Sequence, residues 1–267
     1  MRKPKTYKTN YEEIQKKRLE KFYVIIHIVR VTIPVKKEGE IYNTDITVIY
    51  GYNLQGLKTI IGIYEEDKND NRYWLEQLEQ VKGRGLEVVK FVSSEPNKKL
   101  EQALKIVYTG VEIIPSADRI ITKIVNYAPN RWRDETGREL LKMFLAEDKE
   151  DFEAIYNSLQ EKYIENRIVV IMLERYKEEI AAYYEYSREF RHLFCSYYTI
   201  RVMLYTFYAA VRRKDDYYTG AEQIVNETLG EYLSKFEATR SYVKKDWIRI
   251  QNEIYAKFAE EIEGYIL

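Results

Sequence analysis

Apolar positions fall into two regimes along this chain. Residues 22–33, FYVIIHIVRVTI, are apolar almost throughout, the pattern of a strand buried on both faces. Pro34 and the run from Lys36 to Gly39 mark a turn. Residues 45–52 (DITVIYGY) and 57–64 (LKTIIGIY) predict two further strands joined by a hairpin over Asn53 to Gly56. Asn69, Asp70 or Asn71 offers a cap for the helix that follows, where Trp74, Leu75, Leu78 and Val81 make one apolar face before Gly83-Arg84-Gly85 ends it. Residues 86–92 predict a short strand. Pro96 opens a helix with Leu100, Ala103, Leu104 and Val107 inward, and 111–114 predict a last strand stopped at Pro115.

Beyond residue 116 the period lengthens from two to nearly four. Residues 148–164 and 167–185 predict helices, the first with Phe152, Ile155, Tyr156 and Leu159 on its inner face. Residues 196–213 carry Ile200, Met203, Leu204, Phe207 and Val211 at helical spacing. Gly220 and Gly230 flank another helix, and 242–263 form a long final one. No internal repeat or low-complexity segment interrupts the pattern.

Composition narrows the function classes. Lysine plus arginine and aspartate plus glutamate number 43 each, so the chain lacks the basic excess of a dedicated nucleic-acid binder, although a local basic face remains open. Residues 1–22 concentrate Arg2, Lys3, Lys5, Lys8, Lys16, Lys17, Arg18 and Lys21; the plain reading is a solvated arm or short helix, the sharper one a phosphate-contacting arm. Cys195 is the only cysteine, which excludes an intramolecular disulfide and a cysteine-rich zinc site. No apolar run reaches the roughly 20 residues that span a bilayer, and no secretory leader is evident, so the expected location is the cytoplasm with no membrane partner. The aromatic residues of the C-terminal half, Tyr183, Tyr184, Tyr197, Tyr198, Tyr205 and Tyr208, read as packing between helices, or alternatively as an assembly surface of a homo-oligomer.

Three collinear blocks carry a resemblance. VIYGYNLQGLKTIIGIYEEDKNDNRYWLEQLEQVKGRGLEVVKFV keeps Gly51, the hairpin Gly56, Ile61-Gly62, Trp74 and the turn from Lys82 to Gly85; YYEYSREFRHLFCSYYTIR and KKDWIRIQNEIYAKFAEEIEGYI, with Trp247 and Asn252, follow in order. Together they resemble the catalytic domain of Mutator-type (MULE-like) bacterial insertion-sequence transposases. The resemblance implies an α/β fold, a ribonuclease-H-like five-stranded mixed sheet with flanking helices and a large all-helical insertion. Expected boundaries are a basic arm over 1–21, the core over 22–115, the insertion over 116–195 and C-terminal helices completing the core over 196–267. The interval from Ser93 to Arg201, roughly a hundred residues, is far too long for a βαβ crossover and accommodates such an insertion.

In the resembled enzymes an Asp of the first strand, an Asp of the fourth and a Glu of a late helix (the DDE triad) hold two magnesium ions beside DNA. Here the corresponding positions hold His27, Ser93 and Arg201, and the family's Cys and His after the fifth strand correspond to Ser116 and Arg119. Three anionic ligands give way to an imidazole, a hydroxyl and a permanent cation. Unit charges at ~4 Å interact by several kcal/mol, so the exchange opposes magnesium binding. The resemblance therefore implies a catalytically inactive transposase-derived protein acting by DNA or protein binding, without a cofactor. Arg201, Arg119, Lys98, Lys99, Arg212 and Arg213 are the DNA-binding candidates, and Arg201 is expected to pair with Glu95 or Asp118. Two alternatives stay open. One is an active metal-dependent nuclease or transposase using displaced carboxylates Asp45, Glu95 and Asp118, otherwise expected as exposed or capping residues; the other is a structural or oligomeric interaction protein. By themselves, His27 reads as a hydrogen-bonded core residue and Ser93 with Ser94 as a helix cap.

Overall fold

The structure, a computed structural model, describes residues 8–67, 70, 72–239 and 244–265, apart from the side chains of 244–246. Arg2, Lys3 and Lys5 of the basic segment and the proposed caps Asn69 and Asn71 lie outside the described residues. The chain divides into two compact units, one of Met1–Ile114 with Val202–Leu267 and one of Pro115–Arg201.

The first unit begins with α1 (Tyr11–Lys16), where Asn10 and Glu13 close a reciprocal capping box. This helix is docked rather than solvated. Ile14 and Leu19 are buried, and Arg84 donates to the carbonyls of Ile14, Lys17 and Ile61. The sheet follows: β1 (Phe22–Lys37), β2 (Glu40–Asn53), β3 (Lys58–Glu65), then α2 (Tyr73–Gly83), β4 (Val88–Ser94), α3 (Lys98–Val107) and β5 (Glu112–Pro115). The five strands run in the order β3-β2-β1-β4-β5, with β1 antiparallel to β2, β2 antiparallel to β3, and β1 parallel to β4. A mixed sheet with flanking helices in this order is the α/β, ribonuclease-H-like architecture.

Both strands of the first hairpin outrun their apolar stretches. β1 continues through Pro34 to Lys37, and the turn is reduced to Glu38 and Gly39, both with positive φ. Pro34 is tolerated because β4 pairs β1 only as far as Ile28, so the missing N–H faces the side β2 does not occupy. Two residues on, the Lys36 N–H on that side donates to the Tyr218 carbonyl at 2.9 Å.

One sheet face packs on α2 and α3 through Ile26, Ile28, Val89 and Val92 against Trp74, Leu78, Val81, Leu100 and Leu104. The second-strand connection is fixed by Gly56, whose φ of +73° suits glycine and whose missing side chain leaves room for the Trp247 ring. Ser93 and Ser94, expected to cap a helix, end β4 instead; Asn97 is the cap and accepts from the Leu100 N–H.

The second unit is all helical: α4 (Ala117–Val125), α5 (Arg133–Phe144), α6 (Lys149–Lys162), α7 (Arg167–Ala181), α8 (Arg188–Phe194) and the first turn of α9 (Tyr197–Arg213). Asp148, Asn166 and Ser187 cap α6, α7 and α8. Its core joins Leu140, Phe144, Phe152, Leu159, Leu173, Tyr183, Phe190 and Phe194, with Phe144 and Tyr183 edge to face at 4.9 Å.

The chain returns to the first unit within α9 and continues through α10 (Ala221–Ile224), a π-helical stretch over Val225–Leu229, α11 (Gly230–Ala238) and α12 (Lys244–Ile262). Gly230 does not end a helix; it lies inside this run, where the Thr9 carbonyl approaches too closely for a side chain. The tyrosines divide. Tyr183 and Tyr197 are buried, whereas Tyr198, Tyr205 and Tyr208 are 50%, 66% and 41% exposed, so packing between helices does not account for the latter three. Among the described residues no helix is long and apolar enough to cross a membrane.

Candidate functional site: the sheet face of His27 and Ser93

His27 lies mid-strand in β1, and its register partner on the parallel neighbour β4 is Ser93. Register partners on adjacent strands project to the same face about 4.8 Å apart, so these two positions are brought together as the resemblance requires of a ligand pair. Both are buried, His27 completely. The imidazole stacks on its β2 partner Tyr50 at 4.8 Å and meets Tyr52 edge-on at 6.2 Å.

C-terminal helices cover this face. Phe236 of α11 packs edge-on against Tyr50 at 5.2 Å, and Trp247 of α12 lies 6.4 Å from Tyr52 while its indole N–H donates to the Leu54 carbonyl. Lys58 of β3 places its ammonium 3.8 Å from the Phe236 ring centre, and burial lowers its pKa to about 8 against the opposing pull of Glu237. The donors on this face are thus an imidazole, a hydroxyl without a hydrogen-bond partner among the described residues (Ser93) and a buried ammonium. Magnesium takes oxygen ligands in octahedral geometry, preferably anionic, and this set does not fit it.

The displaced carboxylates do not repair the set. Asp45 pairs in register with Thr32, five positions along β1 from His27, or roughly 17 Å, and strand alternation puts Thr32 on the opposite face. There Asp45 is buried rather than exposed and accepts from the Thr32 hydroxyl at 2.5 Å. Glu95 joins it through Arg30, whose guanidinium lies 2.5 Å from Glu95 and 3.9 Å from Asp45. Burial lowers the Arg30 pKa, but the carboxylates of Glu95, Asp45 and Glu66 outweigh it and hold the group above its ordinary value. The cleft around this cluster is lined by Glu66, Trp74, Ser94 and Asn97. It was missed in the sequence because residues 22–33 read as uniformly apolar; Arg30 and Thr32, two apart, are the signal of a polar end on one face.

Asp118 belongs to the helical unit, in the first turn of α4, and is buried rather than exposed. Burial raises its pKa to about 7; its own N–H and the Ser116 hydroxyl offset that only in part, and neither carboxylate oxygen makes a well-formed hydrogen bond among the described residues. The neighbouring Cys195 thiol is pushed well up, first by burial and then by the Asp118 charge. Among the described residues no group of three or more His, Cys, Asp or Glu side chains is arranged to hold a metal ion.

The basic candidates separate by environment. Arg119 is nearly buried, paired with Glu179 at 2.8 Å and set over the Tyr176 ring. Arg201 pairs neither with Glu95 nor with Asp118: it reaches Asp134 at 3.2 Å and the Tyr197 hydroxyl at 3.3 Å, because α5 supplies the carboxylate nearest its turn of α9. Lys98 and Lys99 open α3 exposed, and Arg212 and Arg213 end α9 exposed.

No curated protein matches the chain. The family model for "Transposase, Mutator family" matches residues 4–217, well over half of its length and spanning the sheet, the helical unit and all of α9. With the five-stranded mixed sheet and the His27–Ser93 register in view, the chain belongs to the Mutator family of transposases.

Proposed function

We propose that this Mutator-family chain no longer performs two-metal DNA chemistry and acts by binding, with DNA as its partner. The observation that carries the reading is the adjacent pair His27 and Ser93, an imidazole stacked on Tyr50 and a hydroxyl where two carboxylates would be needed, on a face covered by Phe236 and Trp247. Neither member of the pair supplies a carboxylate, and the buried ammonium of Lys58 on the same face opposes a divalent cation. Asp45 and Glu95 are tied to Arg30 on the other face, which speaks against their service as displaced ligands.

DNA contact falls to the exposed cations. Arg119 is nearly buried against Glu179, whereas Lys98, Lys99, Arg212 and Arg213 are all exposed, which makes these four the better candidates for phosphate contacts. A mobility-shift titration with duplex DNA tests this. The expected shift weakens steeply with salt, and the Lys98→Glu/Lys99→Glu and Arg212→Glu/Arg213→Glu variants each weaken it several-fold, whereas Arg119→Gln does not alter its salt slope. A chain that shifts no duplex at low salt refutes the reading. Exposed Val202, Tyr205 and Tyr208 on α9 favour a second reading, assembly with a protein partner or another copy. Sedimentation of the DNA-free chain tests the self-assembly arm, which a strict monomer at high concentration excludes.

A further inference from the structure

The helical unit holds a cleft of about 520 Å³. This lies within the range of small-molecule sites, roughly 300–1,000 Å³. Arg138 and Lys142, one turn apart on the exposed side of α5, form one wall. Neither makes a salt bridge among the described residues, although the Arg138 charge is felt by Glu135 one turn away. Arg188 and His192, one turn apart on α8, also line it, and Tyr198 contributes a ring that is 50% exposed. Leu141, Leu145 and Ile155 make an apolar floor.

A buried arginine fixes one border of the cleft. Arg191, only 3% exposed, donates to the Ala146 carbonyl at 2.5 Å and the Glu147 carbonyl at 3.3 Å, with its guanidinium 4.1 Å from the Tyr184 ring centre. That anchors the segment between α5 and α6 that borders the cleft. Two carboxylates also line it. Glu147 pairs with Arg188 at 2.9 Å, and Asp151 accepts from the Glu147 N–H at 3.3 Å. Arg138, Lys142 and Arg188 set against Glu147 and Asp151 leave the cleft with a surplus of positive charge, beside an aromatic face and two hydrogen-bond acceptors.

We propose that this cleft binds a nucleoside 5′-phosphate. The phosphate sits between Arg138 and Lys142, the base stacks on Tyr198 over the apolar floor, and Glu147 or Asp151 accepts from the sugar hydroxyls or a base amine. A free mononucleotide and the 5′-phosphorylated end of a single strand share the phosphate and the base, and differ in the sugar hydroxyls that only the mononucleotide offers. The proposal is independent of the duplex-binding reading, which concerns α3 and the end of α9.

Calorimetric titration of the full chain with adenosine 5′-monophosphate, and anisotropy with a fluorescent 5′-phosphorylated deoxyadenosine decamer, distinguish the sources. Arg138→Glu with Lys142→Glu should weaken whichever ligand binds by at least tenfold, and Tyr198→Ala by roughly tenfold. Ribose 5-phosphate, lacking the base, should respond to the charge reversal but not to Tyr198→Ala. Binding of the mononucleotide that follows this pattern supports the free ligand; binding of the decamer alone, with the same pattern, supports a strand end. Absence of binding by both probes, or binding that survives the charge reversal in a variant with unchanged circular dichroism, overturns the proposal. The duplex mobility shift, run on the same variants, is expected to be unchanged, which separates failure here from failure of the duplex reading.

Discussion

Asp118→Asn should stabilise the protein in alkaline solution and do little in acid. Asp118 is buried in the first turn of α4, and burial raises its pKa from 3.8 to about 7. An acid whose folded pKa lies above its unfolded value binds more protons folded than unfolded. Its contribution is fully present below pH 4 and is lost as pH rises through 7. Each pKa unit is worth ~1.4 kcal/mol, so the penalty above pH 7 is on the order of 4 kcal/mol. Less than half of it has developed at pH 5, which leaves roughly 2–3 kcal/mol to appear between pH 5 and pH 8. The amide is nearly isosteric and never ionises, so the variant escapes this loss. Urea titrations at pH 5 and pH 8, followed by circular dichroism and tryptophan fluorescence, should show the variant gaining on the parent by that amount at the higher pH. Trp132, whose ring meets Tyr163 at 6.2 Å within the helical unit, reports the relevant transition. A gain that is equal at both pH values, or a variant less stable than the parent at pH 8, refutes the assignment of a strained buried carboxyl.

Further substitutions test other parts of the account. Arg191→Met leaves the buried Ala146 carbonyl without its donor and should cost on the order of 3 kcal/mol in urea unfolding, with the cleft ligand weakened in parallel. Gly56→Ala forces a side chain into a φ of +73° and against the Trp247 ring, and should lower stability by roughly 1–3 kcal/mol in a thermal melt; an unchanged melting temperature contradicts the packing described. His27→Asp puts a buried carboxylate against Tyr50 in a covered face and should destabilise by about 3 kcal/mol without conferring cleavage of DNA, both read on one preparation.

What was legible in the sequence tracks what hydrophobic pattern encodes, which is burial. The inner faces of α2 and α3 were read correctly because Trp74, Leu78, Val81, Leu100 and Leu104 point into the same core. The ends of β1 and β2 were not: Pro34 and the lysines beside it hide the buried Val35 in β1, and the start of β2 pairs through backbone with Glu40, Ile41 and Tyr42 exposed. Ser93 and Ser94 look like cap residues locally, but parallel pairing with β1 extends β4 through both. Gly230 has the look of a helix stop, whereas its absent side chain makes room for the Thr9 carbonyl, a contact more than two hundred residues away along the chain. Ion pairs were the least legible. Arg201 takes Asp134 and Arg30 gathers Asp45 and Glu95 because helices and strands remote in sequence converge there, and charge type alone names no partner. The exposed cleft of the helical unit gave only a faint signal, Arg138 and Lys142 one turn apart on a polar helix face, which solvated helices share.

The most direct measurement is nicking of supercoiled plasmid by the full chain in magnesium and in manganese, at concentrations where the duplex mobility shift is saturated. The predicted result is bound but intact DNA over long incubation in either metal. Metal-dependent nicking that disappears in Asp45→Ala, Glu95→Ala or Asp118→Ala would contradict the account at its centre, because it would give those carboxylates the role that His27 and Ser93 no longer fill.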